Sequence, residues 1–101
     1  MINNVLISVQ ANLFRGVEAV GGILIITLDE LLFQPHKLNI QSQESRIPLL
    51  EIESVSEKNT FGLIPNGIIL NMKNGQRYQF VLWNRGKVVE IIRGLLGGRG
   101  N

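Results

Sequence analysis

Apolar and polar residues alternate along the start of the chain, and this pattern predicts strands. From residue 5 to residue 13 every second side chain is apolar, as expected for a strand with one buried face. Arg15-Gly16 offers a turn after it. Residues 22–28 form a nearly continuous β-branched run, typical of a strand that is covered on both faces or lies in a barrel wall. We therefore expect a pair of neighbouring strands at the start of the chain.

A third strand is expected at residues 31–34. Asp29-Glu30 would form the loop before it, and this register places Ile26 opposite Phe33. Both strands then turn apolar side chains to the same face, so the pairing is self-consistent. Pro35 ends the pairing or marks a sheet edge.

The middle of the chain carries weaker signals. Residues 36–45 are polar and show no period, and Pro48 interrupts the next apolar stretch. A short strand is expected at 52–57, continuing toward Thr60. The segment 64–67, Ile-Pro-Asn-Gly, is expected to form a turn because proline and glycine stand at its second and fourth positions.

Residues 68–72 and 76–82 have the pattern of a hairpin, with two possible loops between them. A two-residue loop at Asn74-Gly75 is the usual choice, but it mixes apolar and charged side chains on one face. A three-residue loop over 73–75 separates them and places Gly75 at the left-handed position of a bulge. The three-residue loop predicts the pairs Met72 with Gln76, Leu70 with Tyr78, and Ile68 with Phe80. We prefer it because a shift of one residue would invert the faces.

The period changes after Trp83 and indicates a helix. Apolar residues follow at helical spacing, and charged residues occupy the other face. The apolar positions are Val88, Ile91, Ile92 and Leu95. Asn84 is the expected N-cap and Gly97 the expected stop. The expected architecture is therefore mostly β: short antiparallel strands closed by one C-terminal helix.

The length of 101 residues suits one modest core, since a chain of this size buries roughly 65% of its unfolded surface. We expect a single domain over residues 1–96 and a flexible, glycine-rich tail over 97–101. The chain has no cysteine, which excludes disulfides, thiolate metal sites and a cysteine nucleophile. A single histidine, His36, leaves too few nitrogen ligands for a transition metal. We expect no cofactor and no metal.

Charge gives little support for nucleic-acid binding. Ten Lys and Arg against eight Asp and Glu give a net charge of +2, and the basic residues are scattered rather than clustered. Aromatic residues make up 6% of the chain and leave few platforms for stacking bases. The strongest apolar stretch, residues 19–28, is too short for a membrane-spanning helix, and no basic segment of a secretory signal precedes it. We expect a cytoplasmic protein.

Several segments, taken in order, resemble those of GRAM domains. They are Gly-Ile-Leu-Ile-Ile-Thr at 22–27 with Leu-Phe at 32–33, Ile-Pro-Leu-Leu-Glu-Ile at 47–52, Gly-Leu-Ile-Pro-Asn-Gly-Ile at 62–68, and Asn-Gly-Gln-Arg-Tyr-Gln-Phe at 74–80. Residues 83–92 stand where that family has its closing helix. The chain is thus similar to a GRAM domain over most of its length, and we expect a small, stand-alone bacterial member.

The resemblance implies the pleckstrin-homology-like (PH-like) fold, a bent antiparallel barrel of about seven strands with a C-terminal helix at one end. It also implies a binding module rather than an enzyme, because GRAM domains contact other proteins or membrane phosphoinositides. Lipid-binding domains of this superfamily gather Lys and Arg around the first strand turn, where cations meet phosphates. The matching loop here, residues 14–19, holds only Arg15, beside Glu18. We therefore expect protein binding or self-assembly, with peripheral binding to anionic, phosphoinositide-type membranes as the alternative.

Three cations are candidate contacts for an anion, a lipid or a partner: Arg15, Arg85 and Lys87. The last two flank the first helical turn, where positive charge is locally unfavourable for the helix. Scattered solubilising charge is the simpler interpretation of the same residues. Trp83 is expected to anchor the helix to the barrel end, with a role in a binding interface as the alternative.

No catalytic residue is predicted. His36 follows Pro35 at a strand end and has no marked partner, so we expect an exposed loop histidine. Glu51 and Glu53 could in principle form an acid–base pair, but solvated carboxylates on an outer face are expected. Gly21-Gly22 precedes a strand, whereas a phosphate-binding loop follows a strand and opens a helix.

Overall fold

Seven antiparallel strands and one α-helix make up the parts of the chain that the computed structural model describes, residues 4–37 and 43–99. The strands are β1 (Ile7–Arg15), β2 (Glu18–Ile26), β3 (Glu30–Pro35), β4 (Ser45–Pro48), β5 (Ile52–Thr60), β6 (Ile64–Met72) and β7 (Arg77–Leu82). A 3₁₀ turn, Leu49–Glu51, joins β4 to β5, and the helix α1 spans Arg85–Arg99. The predicted mostly-β architecture with about seven strands and a C-terminal helix is confirmed.

One sheet contains all seven strands in the order β4-β3-β2-β1-β7-β6-β5. The pairing of β1 with β7 joins the two halves, with Ala11 opposite Leu82 and Leu13 opposite Phe80. Side chains from distant strands of the sheet meet in one core, which shows that the sheet curls into a half-barrel. Strands β4 and β5 are the two edges, and the 3₁₀ turn connects them.

The helix α1 packs against β5, β6 and the 3₁₀ turn. Val88, Val89 and Ile92 are buried in the common core. The Arg93 guanidinium donates a hydrogen bond to the Val55 carbonyl on edge strand β5, at 3.1 Å. The helix therefore supplies apolar side chains to the core and also covers part of an open strand edge.

One end of α1 agrees with its prediction and the other does not. Asn84 occupies the predicted N-cap position, since it directly precedes the helix and its carbonyl accepts a hydrogen bond from the Val88 N–H at 3.1 Å. Its φ of 56° is left-handed rather than the extended backbone usual for an N-cap. Gly97 does not end the helix, which continues to Arg99. The segment predicted as a tail is thus helical over 97–99, and residues 100–101 lie outside the described ranges.

The hairpin of β6 and β7 has the predicted three-residue loop. Ile68 pairs with Phe80 and Leu70 with Tyr78, and the Met72 N–H donates to the Gln76 carbonyl at 2.9 Å. Gly75 has a φ of 91°, a region that glycine adopts without a steric penalty. The hydrophobic register therefore predicted this loop correctly where the dipeptide preference did not.

The turn between β2 and β3 lies one residue earlier than predicted. Ile26 pairs with Leu31 rather than with Phe33, and Leu28-Asp29 form the tip. The buried Thr27 hydroxyl accepts hydrogen bonds from the Asp29 and Glu30 N–H groups, each at 3.2 Å. This side chain stabilises the turn, so the expected Asp29-Glu30 loop is wrong by two residues of register.

The turn between β5 and β6 lies earlier than predicted. Thr60 pairs with Ile64, and Phe61 and Gly62 between them have φ values of 53° and 73°. The predicted turn at 64–67 is wrong, because these residues belong to β6. Pro65 is tolerated there because the pairing of β6 with β7 starts only at Gly67, and β5 is irregular opposite the proline.

Candidate functional site

Arg15, the first predicted contact residue, stands at the turn between β1 and β2. Its guanidinium donates to the Gln43 carbonyl at 2.7 Å and to the Ser45 hydroxyl at 2.9 Å. These bonds tie the β1–β2 turn to the start of β4. The arginine therefore has a structural role that needs no ligand.

Arg85 fastens the start of α1 to the sheet. Its side chain is only 15% exposed, and its guanidinium lies 2.9 Å from the Asn59 side-chain oxygen and 3.6 Å from the Glu57 carboxylate. It also donates to the carbonyls of Lys58 and Gly67 on β5 and β6. Because its Nη1 group donates to these acceptors and its Nε lies near the Glu57 carboxylate, Arg85 is poorly placed to bind an external anion.

Lys87 lies one turn further and interacts within the helix, with its ammonium 3.4 Å from the Glu90 carboxylate. Exposed pairs of this kind contribute little to stability. Each of the three predicted cations, Arg15, Arg85 and Lys87, thus belongs to a separate local network. The structure does not join them in one contact network.

His36 is exposed, as expected for a loop histidine. Its Nε2 lies 3.1 Å from the Gln10 side-chain oxygen, and its backbone N–H donates to the Gly21 carbonyl. Glu51 in the 3₁₀ turn and Glu53 on β5 are both exposed. Within residues 4–37 and 43–99, no three histidine, aspartate or glutamate side chains come together where a metal could be held.

Trp83 does not anchor the helix. Its side chain is 73% exposed, whereas an anchor at the barrel end would be buried. Its backbone N–H donates to the Gln10 carbonyl at 3.2 Å, which continues the β1–β7 pairing by one residue. The predicted anchoring role is wrong, and the alternative, a part in an interface, stays open.

Trp83 borders a groove of about 470 Å³. The groove runs from His36, directly after β3, across β2, β1 and β7 to the start of β6. It is lined by Gln10, Ala11, Asn12, Gly21, Gly22, His36, Ile64, Asn66, Val81, Leu82 and Trp83. These residues include three side-chain amides, one imidazole and one indole, but no Asp, Glu, Lys or Arg. The volume falls within the range of small-ligand sites.

Two adjacent glycines line the groove for different reasons. A Cβ on Gly22 would lie 2.4 Å from the Gln34 carbonyl oxygen and 2.8 Å from the Phe33 ring, so the fold itself requires glycine there. A Cβ on Gly21 would approach only two side chains of the groove, Asn12 at 3.3 Å and His36 at 3.6 Å. Gly21 therefore faces the groove, and its missing side chain leaves space there.

Four exposed apolar residues lie at the groove or within three residues of its lining in the chain. Ile64 and Trp83 line the groove, and Phe61 and Leu63, which are 92% and 82% exposed, precede Ile64 in the β5–β6 loop. We call these four residues the apolar rim. Phe61 and Leu63 were not predicted as site residues, although the sequence has an apolar run there.

A second, shallower depression of about 380 Å³ lies elsewhere on the sheet. It is lined by Phe14, Gly16, Lys58, Ile69, Arg77 and Gln79. Two cations, Lys58 and Arg77, therefore face one depression beside the β1–β2 turn. Neither forms an ion pair within the described part of the chain.

Comparison with known proteins supports the fold and leaves the family open. No protein-family model matches the chain, and no curated protein matches it. A solved structure does: the C-terminal domain of an unknown protein from Leishmania infantum superimposes with a TM-score of 0.81. The match covers 92% of this chain and 84% of that one, at 17% sequence identity. This chain is therefore similar to that domain in fold. Within the described ranges, no helix has the length and apolar character needed to cross a membrane.

Proposed function

We propose that this chain is a non-enzymatic binding module of the GRAM type, with a PH-like half-barrel, and that it binds a protein partner or a second copy through the apolar rim. The order of the similar segments in the sequence supports the family. The curled seven-stranded sheet with its C-terminal helix is compatible with the fold. One observation carries the function, and it concerns Phe61.

Phe61 does not stabilise the folded chain. Its ring is 92% exposed, so it contributes almost no burial to the core. Its φ of 53° lies in the left-handed region, which costs a residue with a side chain roughly 1–2 kcal/mol. Asparagine or glycine would suit this turn position better. A bulky apolar residue that weakens its own domain is best explained by contacts with another molecule.

Site-specific photo-crosslinking tests this proposal. A photoreactive amino acid at position 63 reports on the rim, and one at the fully exposed Val17 provides the matched control. We expect a defined crosslinked product from position 63 in the native cells, none from position 17, and its loss with Phe61→Asn. Light scattering of the pure protein measures its molar mass, and a dimer would show that the partner is a second copy rather than a different protein. A strict monomer without any product specific to position 63 would refute the proposal.

The depression beside the β1–β2 turn favours a second candidate function, binding to an anionic membrane. Lys58 and Arg77 offer it two cations that form no ion pair among the described residues. If this candidate is correct, the protein should co-float with phosphoinositide-containing vesicles at low salt, where electrostatic attraction is strongest. The double variant Lys58→Gln, Arg77→Gln should abolish flotation, while the control Lys73→Gln retains it. Absence of flotation at low salt would eliminate this candidate.

A further inference from the structure

We infer that the groove bordered by Trp83 binds an extended, uncharged peptide segment, whose bulky apolar side chain lies between Trp83 and Ile64. This inference rests on the proposed function, since it names the kind of protein partner and the way it docks. It joins two features that meet at the same place: a groove with neutral polar walls and the exposed apolar rim.

The dimensions of the groove suit an extended chain. It runs from His36, directly after β3, across β2, β1 and β7 to β6, and strand spacing of about 4.8 Å gives a path of roughly 19 Å along the sheet. An extended peptide covers that distance with about six residues, at about 3.3 Å per residue.

The polar groups of the groove match a peptide backbone rather than a charged ligand. Gln10, Asn12 and Asn66 carry amides that both donate and accept hydrogen bonds, and each peptide unit offers one donor and one acceptor. Thr60 donates to the Asn66 side-chain oxygen, which fixes the orientation of that amide. A phosphate or carboxylate would find no Lys or Arg among the lining residues that the structure describes. Charge complementarity therefore favours a neutral segment.

The apolar end of the groove supplies a place for one large side chain. Trp83 and Ile64 both line it, and the exposed Phe61 and Leu63 precede Ile64 in the adjoining loop. Aromatic residues at such positions often dominate the binding energy of an interface. The polar walls would thus hold the backbone, and the rim would select the side chain.

Gly21 gives independent support. Its backbone is not in the left-handed region, and no core atom would obstruct a Cβ there. Glycine within a strand lowers stability, and the atoms that would crowd a Cβ here belong to side chains of the groove, chiefly the Asn12 side-chain oxygen at 3.3 Å. A side chain at this position would protrude between Asn12 and His36, inside the groove. Glycine is the residue that keeps this part of the groove open.

Selection from a phage-displayed library of random linear 12-residue peptides tests the inference on the full chain. We expect enriched sequences that share a bulky apolar residue flanked by uncharged residues. Synthetic copies should then change the emission of Trp83, the only tryptophan in the chain. Their affinity should vary less than about twofold between low and high salt, because no ion pairs form.

Gly21→Leu fills the groove and should weaken these peptides at least tenfold, while Val17→Ser on the distant β1–β2 turn leaves their affinity unchanged. Melting curves test whether the Gly21→Leu variant is folded. If it is unfolded, Trp83→Ala is used in its place, binding is measured by calorimetry, and the same tenfold loss is expected.

Three results would overturn the inference: no enrichment, equal binding to the groove variants, or enriched acidic peptides whose affinity collapses with salt. The photo-crosslinking experiment tests the proposed function independently of these peptide measurements. A product specific to position 63, without any peptide binding, would mean that the rim contacts a folded surface. The peptide inference would then be wrong and the proposed function would stand.

Discussion

The rings of Phe33 and Phe80 lie 5.8 Å apart, inclined at 59°. Within the sheet, β2 and β1 separate the strands that carry them. Two rings that far apart along a flat sheet could not touch, so this contact exists because the sheet curls. Both side chains are fully buried, and together they join the two halves of the half-barrel at the centre of the core.

Phe80→Ala should therefore destabilise the domain by about 3–5 kcal/mol, a large share of the total for a small protein. The neighbouring Gln79→Ala should change the free energy of unfolding by less than about 0.5 kcal/mol, because Gln79 faces away from the core. Urea unfolding of both variants measures the difference. A nearly neutral Phe80→Ala would contradict the β6–β7 register.

That register was predictable because two local signals agree on it. The alternation of apolar residues and the position of Gly75 both require the three-residue loop. The β2–β3 turn was not predictable in the same way, since the Thr27 side chain stabilises it through bonds that no alternation reveals. The β5–β6 turn was missed because Phe61 occupies a conformation that sequence preferences assign to glycine or asparagine.

Phe61→Asn should raise the free energy of unfolding by about 1 kcal/mol, because the left-handed conformation is less unfavourable for asparagine than for phenylalanine. Phe61→Ala is the matched control: it removes the same ring and keeps the unfavourable φ, so its stability should stay within about 0.5 kcal/mol of the wild type. Thermal and urea unfolding of the three proteins decide the question. A destabilised Phe61→Asn would show that the exposed ring contributes to the fold.

The paired glycines provide a second comparison. Gly22→Ala should cost about 3 kcal/mol or prevent folding, because its Cβ would overlap the Gln34 carbonyl and the Phe33 ring. Gly21→Ala should be tolerated within about 1 kcal/mol, since only the ends of two side chains need to shift. Yield of soluble protein and urea unfolding check both. Equal effects of the two substitutions would contradict the assignment of Gly21 to the groove.

Arg85→Ala should destabilise the domain by about 2 kcal/mol, because it leaves acceptors on β5 and β6 without their charged donor. Lys87→Ala, two positions on, should change stability by less than about 0.5 kcal/mol. Urea unfolding compares them. A neutral Arg85→Ala would mean that the arginine is free to serve an external anion after all.

The candidate site was only partly visible in the sequence. Trp83 and Gly21-Gly22 attracted attention as residue types, but the groove brings together residues from two distant parts of the chain, 10–36 and 64–83. No local pattern records which of them meet. The opposite holds for Arg15, Arg85 and Lys87, whose charges suggested a shared site until the structure assigned each to its own neighbours.

The bond from Arg93 to the Val55 carbonyl also bears on how the molecule is made. The helix is the last of the described elements to be synthesised, so the strands are made before α1 can dock. Until it docks, the β5 edge is uncapped, and the positions that Val88 and Ile92 will fill are empty. An exposed strand edge is a template for pairing with another chain. Docking of the helix therefore also removes a site at which two incompletely folded chains could associate.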